Sequence, residues 1–594
     1  AQSAAVRSSL QAIMRIAVLG GGMGSLAAVY ALMADPVNRR KYEVTVYQQG
    51  WRLGGKGASG VNPERHNRIE EHGLHVFLGF YHRALALMRR CYGDLGKATP
   101  DGPPLRRSAD PLGTFEQAFR AHHQIRLYHN SDDGRGWRSY PVRFPENARP
   151  PGELDSSRQP DLNPRRALLS LARWLAGALG SVKRTLAGTG AADARALVDL
   201  DRAEALVLQM EKARPNDFED LEEFDDFDDS DALGDSEDFE RRTRSADRAS
   251  SRSRDAVYAE LTALEGRIDR QLRTTRGVPR RLQRKLEYYR SYIALGMVNL
   301  RGIWSDVLFA PEGFANIDQH DYIQWLKQHG AGRAALDSPL AFSLYELAFS
   351  KPGRGAGFAA GVVLKSTLRM LFDYQGAFLW KMQAGMGDVV FAPMYQVLKQ
   401  WGVRFEFFHQ VQALRLSPKK DSVAAIDLRI QARTSGNSGY EPLIDVNGLP
   451  CWPSRPNYEQ LEQGDLHRRR CQEQGVNFEL PEATGEPLTL RRGVDFDAGL
   501  LGLSVGSLGT AEGGVCAGLF AASAKWRTMR ERLRTTATQA LQVWRTSPPA
   551  DPSRAVVGGY AKPFQTSMDM SQLLLRESWP APGPGSLAYF CGPL

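Results

Sequence analysis

The feature that most constrains this chain lies near its start. An apolar run, Ile16 to Leu19, enters a turn built from Gly20, Gly21, Gly22 and Gly24. It leaves as a helical pattern through Leu26, Val29 and Tyr30 that Pro36 ends. A second strand-like run, Glu43 to Tyr47, follows where a βαβ unit requires it. In such a unit Gly20 makes the tight turn and Gly22 lets the backbone approach a pyrophosphate. The helix start, with Gly24 in its first turn, offers free N–H groups and a positive dipole end to the anion. Ser25 stands where the third glycine of this pattern falls, and its small side chain still allows close helix–strand packing. The alternative is a glycine-rich turn that binds nothing.

Gln48 follows the second strand, at the place where an acidic residue ordinarily accepts ribose hydroxyls. Its amide oxygen can accept one without the charge; an ordinary strand-end glutamine is the alternative. Trp51 to Gly57 come next. Gly54 and Gly55 let the chain pass close to a flat ligand, while Arg52 and Lys56 add positive charge. Near the N1–C2 carbonyl edge of a flavin, such charge stabilises the anionic reduced form. The pairing points to FAD rather than to NAD alone, against the alternative of surface cations on a loop. Glu70 and Glu71 are expected to pair with Arg52.

Composition sets the wider frame. In 594 residues, 42% hydrophobic and 24% charged content describes a globular chain of three or four folding units, too apolar for global disorder. Five cysteines with no CxxC pair exclude a disulfide scaffold or zinc ribbon. No metal site is expected: His122 and His123 are neighbours and would point to opposite faces of a strand. The net charge of +9 permits an anionic partner without arguing for one, and no nucleic-acid partner is expected. No stretch reads as a transmembrane helix or secretory signal, so the expected location is cytoplasmic. Arg165 to Leu186 adds a membrane question, because Leu168, Leu171, Leu175, Leu179, Val182 and Leu186 form a stripe ringed by Arg and Lys. That pattern fits a helix packed on a core or one lying peripherally in a headgroup interface.

The chain divides into five parts. Residues 14–130 read as the first part of a nucleotide-binding domain and 131–375 as a helix-rich inserted domain. Within the latter, 216–254 read as a disordered loop of opposed charge blocks. Strands return in 376–432, 433–490 read as an extended loop region, and 491–594 as a mixed segment. The fold class expected is α/β, a Rossmann domain assembled from discontinuous segments with a helical insertion.

The Gly20 to Leu26 loop, the Arg52 to Lys56 motif and the Glu71 to Tyr81 stretch resemble the FAD-dependent phytoene desaturase and flavin amine oxidase superfamily. The last is similar to its zeta-carotene desaturase branch, and Gly385 to Asp388 with Leu398 to Val411 are similar to that family's return into the FAD domain. The resemblance implies a glutathione-reductase-like FAD domain with an inserted substrate domain. It also implies hydride removal from an apolar or amphipathic small molecule. Gly20, Gly22, Gly24 and Ser25 would cradle the pyrophosphate, Arg52, Gly54, Gly55, Lys56 and Gly73 would flank the flavin, and the Val411 backbone would meet the adenine. His75 and Lys56 are the candidate catalytic residues, with His72 anchoring the loop. The family's C-terminal Gly-Asp motif is not found before Leu594, which suggests a second chain or longer polypeptide supplying it. Two alternatives remain at this stage: an amine or amino-acid oxidase, and a non-catalytic subunit of a larger assembly.

Overall fold

The computed structural model describes residues 13–97, 103–130, 137–154, 162–187, 201, 205, 255–270, 272–273, 279–343, 357–436, 439–481, 484–549, 556–558 and 563–594. Its organising element is a four-stranded parallel sheet. β1 (Met14–Leu19) lies between β2 (Tyr42–Gln48) and the strand Ala498–Leu501, and the strand Arg404–Phe407 pairs outside β2. Two of the four strands therefore come from segments more than 350 residues downstream of β2. Register at the far pairing is held by Arg15, which reaches both carboxyl oxygens of Asp497 at 3.1 and 2.9 Å.

Both faces of this sheet are covered, which is why its central strand β1 reads as a continuous apolar run from Ile16 to Leu19. Val18, Val44 and Val46 face the helices Met23–Met33 and Ala392–Gln400 in one core. Ala17 and Leu19 face a second core with Leu414, Ile426, Leu428 and Phe520. That second layer is an antiparallel sheet of His409–Leu416, Val423–Ile430 and Glu486–Arg491. Beside the parallel sheet run the hairpin of β3 (Ser59–Asn62) and β4 (Arg68–Glu71), and the short strand β5 (Val76–Leu78). β5 joins Leu379–Met382 and Phe119–His122 in a three-stranded sheet. A six-stranded sheet, running from Thr538–Arg545 to Trp137–Arg143, closes over this region.

The helical part has its own core. Helix Pro164–Ala187 packs on Arg280–Gly302, and Leu168, Leu171, Leu175, Leu179, Val182 and Leu186 are all buried there. The stripe that could have lain in a headgroup interface is covered by protein. Leu179→Ala is accordingly expected to destabilise this region by roughly 2–5 kcal/mol, the usual cost of a core truncation. Denaturant melts of the two proteins check this, and equal midpoints would show that the stripe is not core. Among the described residues no helix is long and apolar enough to cross a membrane, and no His/Cys/Asp/Glu cluster suits a metal.

Several boundaries differ from those read in the sequence. Residues 433–490 are not one extended loop: they carry the hairpin Ile444–Val446 and Leu449–Cys451, the helix Gly464–Glu473 and the start of Glu486–Arg491. Leu488 and Leu490 pair opposite Leu428 and Ile426, so tertiary pairing makes a strand where local polarity suggested none. Within the mixed segment 491–594, the strand Ala498–Leu501 joins the parallel sheet. The part read as helix-rich from residue 131 holds a strand, Trp137–Arg143, paired with Gln124–Asn130. The charged block 216–254 lies outside the described residues.

Candidate functional site

The glycine turn after β1 is built as a cradle. Gly20 takes φ +96°, a left-handed conformation natural to glycine, and donates its N–H to the Tyr47 carbonyl at 2.9 Å. Gly22 is the N-cap of helix Met23–Met33 and supplies no side chain to it, while its carbonyl accepts from Leu26 at 3.0 Å. The N–H groups of Met23, Gly24 and Ser25 thus have no partner inside the helix. The space in front of them is open. A Cβ on Gly24 would meet nothing within 4 Å, and one on Gly22 nothing nearer than the Gly502 carbonyl oxygen at 4.0 Å.

A second glycine loop lies alongside. Gly54 donates its N–H to the Gly21 carbonyl at 2.9 Å, Gly22 and Gly54 form a parallel bridge, and a Cβ on Gly55 would stand 3.7 Å from the Gly22 Cα. Gly54 has φ +117°, and a Cβ there would fall 2.8 Å from the Phe391 ring. The glycine at 54 is therefore demanded by backbone conformation and by packing, whatever the ligand.

Ser25 is buried, and its hydroxyl faces Gly502, where any Cβ would collide with it. Gln48 turns its amide back onto the cradle: the oxygen accepts from Gly21 N–H at 2.7 Å and the nitrogen donates to the Gln49 carbonyl at 2.5 Å. Arg52 is not paired with Glu70 or Glu71. It makes a bidentate ion pair with Glu479 at 2.6 and 2.7 Å, its side chain only 8% exposed. Glu70 instead meets Arg68 and Asn62. The pairing differs because β4 alternates: Glu70 points outward and Glu71 inward. Lys56 is exposed at the tip of its loop. Gly73 packs 3.7 Å (as a notional Cβ) from the Cys591 sulfur, which also accepts the Leu74 N–H at 3.1 Å. His72 is exposed. Val411 sits at a bulge and packs in the layer that holds Tyr47 and Leu19, near the end of β2.

His75 and its partner carry the polar centre. Its Nδ1 is 2.9 Å from Glu71 Oε1, and that oxygen also accepts the Met386 N–H at 2.8 Å. Burial lowers the imidazole pKa, but the hydrogen bond and charge of Glu71 outweigh it, so His75 is raised above the ordinary histidine value. His72, by contrast, is lowered by the partial desolvation of its ring, although the residue as a whole is exposed, and by the charge of Arg52. Glu71 was not singled out as a partner of His75. The available signal is a carboxyl two residues after Ile69, on the same inward face of β4, where an apolar residue would be the rule.

Behind this pair, the turn Gly385–Asp388 is fastened by Ser59, whose hydroxyl accepts the Gly387 N–H at 2.7 Å. Asp388 is fully buried and accepts the Trp452 N–H at 3.0 Å. Burial pushes its carboxyl up to about 7, opposed by the Trp452 hydrogen bond and reinforced by the charge of Glu71. A carboxyl raised in the folded state stabilises it fully below the ordinary value of 3.8, and that contribution is lost as pH rises through about 7. Asp388→Asn is expected to flatten the fall in stability across this window. Urea midpoints measured at several pH values check it, and parallel curves for both proteins would refute it.

The sequence profile of NAD(P)-binding Rossmann-like domains matches residues 18–91. A search of the curated proteins returned no match. Among solved structures, similar chains include an oxidoreductase from Methanosarcina mazei, at 9% identity over 98% of this chain and 79% of that one, with a TM-score of 0.39. A protein from Pyrococcus furiosus stands at 9% identity over 98% and 80%, TM-score 0.38. A protein named for protoporphyrinogen oxidase activity, from Exiguobacterium sp. 255-15, stands at 12% identity over 98% and 78%, TM-score 0.35. Likeness at this level says nothing about ligand or reaction. This mixed α/β chain carries, over residues 18–91, a Rossmann-like domain of the NAD(P)-binding type.

Proposed function

We propose that this chain is an FAD-dependent oxidoreductase that takes hydride from an apolar or amphipathic small molecule, as desaturases and dehydrogenases do. The observation that carries the reading is the meeting of two glycine loops at Gly22 and Gly54, in front of a helix start whose N–H groups have no internal partner. The residues fit a dinucleotide. Gly22 and Gly24 leave open the volume that a side chain would fill, which is what a pyrophosphate needs to reach the helix terminus. FAD in this place supplies the hydride acceptor, so the protein need contribute only orientation, a dry surface and charge.

The chain's own residues supply those things. The helix N-terminus of Met23–Met33 holds negative charge. Gln48 and the Gly21 carbonyl fix the shape of the first loop from both sides, through Gly21 N–H and Gly54 N–H. Arg52, paired with Glu479, braces the second loop and brings little unpaired charge to the ligand. Lys56 is the exposed cation at that loop's tip, and His75 is bonded to the buried Glu71.

A visible absorption spectrum of the purified chain, repeated after denaturation, tests the proposal. Released FAD near one per chain supports it. A colourless protein that takes up NAD(P)H but not added FAD overturns the flavin assignment and keeps the dinucleotide fold.

A further inference from the structure

We infer that the buried guanidinium of Arg106 holds a small monovalent anion such as chloride inside the protein, in a site walled by the loop 103–113, the Gly385–Asp388 turn and the chain at Trp452. The inference is independent of the dinucleotide reading. Two arginines stand side by side in this loop and fare oppositely. Arg107 is exposed, and its N–H is tied to the Asp110 carboxyl at 2.7 Å. Arg106 is 2% exposed, because Leu105 and Leu112 on either side of it pack into the main core and draw the loop inward. Its backbone N–H is held by the Leu95 carbonyl at 3.1 Å, at the end of the helix His82–Leu95. Its side chain is not held: Nε, Nη1 and Nη2 are all buried without a hydrogen-bond partner among the described residues.

The walls are fixed by contacts that do not involve the guanidinium. Tyr92, in the last turn of the same helix, donates its hydroxyl to the Val389 carbonyl at 2.9 Å, which sets the helix end against the turn that carries Asp388. The Trp452 N–H is bonded to Asp388 Oδ1 at 3.0 Å. Pro111 packs 3.5 Å from a notional Cβ on Gly448, in the hairpin that leads to Trp452. Two further polar atoms on these walls are buried and unpartnered, the Trp452 indole Nε1 and Asp388 Oδ2. The charge of Arg106 is felt on every side, opposing the rise that burial gives Cys91, Tyr92, Asp388 and Cys451.

The balance of these groups selects the ligand. The guanidinium N–H groups and the indole N–H stand against a single unpartnered carboxyl oxygen, so donors are in excess. Burial pushes that carboxyl up to about 7, which makes it an incomplete counter-charge near neutral pH. An uncompensated buried cation is strongly unfavourable. Water brings a donor with every acceptor, whereas an anion only accepts and also supplies the missing charge. Walls of Leu, Tyr and Trp side chains favour a compact monovalent ion over sulfate or phosphate, whose double charge is costlier to desolvate.

The full chain and Arg106→Met are melted in sodium chloride and in sodium gluconate at equal ionic strength, and crystals of the parent are soaked in sodium bromide. The parent midpoint is expected to be about 2 °C or more higher in chloride at about 0.1 M, saturating with concentration. Arg106→Met should melt at one temperature in both salts. Anomalous density for bromide should appear within hydrogen-bond distance of the Arg106 guanidinium. A parent midpoint indifferent to chloride, an equal shift in Arg106→Met, or a guanidinium that binds ordered water and no bromide overturns the inference. If Arg106→Met does not fold, the bromide map of the parent decides alone.

Discussion

Gly22→Ala is expected to abolish retention of the dinucleotide while leaving the fold nearly untouched, and Gly54→Ala to do the reverse in order of cause, damaging the fold first. At Gly22 the backbone, φ −77° and ψ 173°, suits any L-residue, and an added Cβ finds no atom closer than 4.0 Å. The only intrinsic cost is a poorer helix N-cap, below about 1 kcal/mol. The new methyl, however, would take up space that the glycine leaves open beside the Gly22–Gly54 bridge. If a pyrophosphate sits there, its affinity should fall on the order of 100-fold, about 2.7 kcal/mol. At Gly54 the residue must adopt φ +117° and press a Cβ to 2.8 Å from the Phe391 ring and 3.0 Å from the Ala58 Cα. Strain of that kind costs roughly 1–3 kcal/mol before any contact is repaired. The pair is read by thermal melts without cofactor and by FAD titration. A Gly22→Ala protein that binds as tightly as the parent would mean that the cradle holds no phosphate.

What the sequence could and could not reveal follows from where the partners sit. The turn after Leu19 was legible because strand, glycines and helix are contiguous, and each glycine's task is local. The roles of Arg52, Gln48 and Glu71 were not. Arg52 finds its carboxylate at Glu479, 427 positions away, while two nearer acids offered themselves in the sequence. Gln48 stands where a ribose partner was expected, yet its amide is bonded to Gly21 and Gln49, because the side chain of a strand-end residue can fold back on the turn it follows. Glu71 is set inward by β4's alternation, which in a four-residue strand is too short a pattern to read. The helix Pro164–Ala187 showed its stripe plainly, but a stripe does not state whether protein or lipid covers it; only Arg280–Gly302 packing against it decides that.

The substitution at the third glycine position shows the same dependence on distant residues, and it gives the second large prediction. Ser25 lies where close packing of helix on strand usually requires glycine, and Gly502, at the end of the strand Ala498–Leu501, is the residue that makes room for it. A Cβ on Gly502 would stand 1.7 Å from the Ser25 hydroxyl oxygen and 3.0 Å from its Cβ, with the Gly20 carbonyl oxygen at 3.1 Å. Gly502→Ala must therefore push the first helix away from the sheet or separate the strand from β1. Either change disturbs the cradle, because the Gly502 N–H is bonded to the Leu19 carbonyl just before Gly20. Overpacking of this severity is expected to cost roughly 1–3 kcal/mol or more and to weaken dinucleotide binding together with stability. Ser25→Gly alone removes a buried hydroxyl that has no hydrogen-bond partner, and its penalty should be near the helix cost of glycine, about 1 kcal/mol. The double variant Ser25→Gly/Gly502→Ala moves the side chain from one wall to the other. Its stability should exceed that of Gly502→Ala by more than measurement error, a favourable coupling that two independent sites would not show. Denaturant melts of the four proteins close the cycle. Additive effects would mean that Ser25 and Gly502 do not share the space, and that the helix–strand contact tolerates a serine for some other reason.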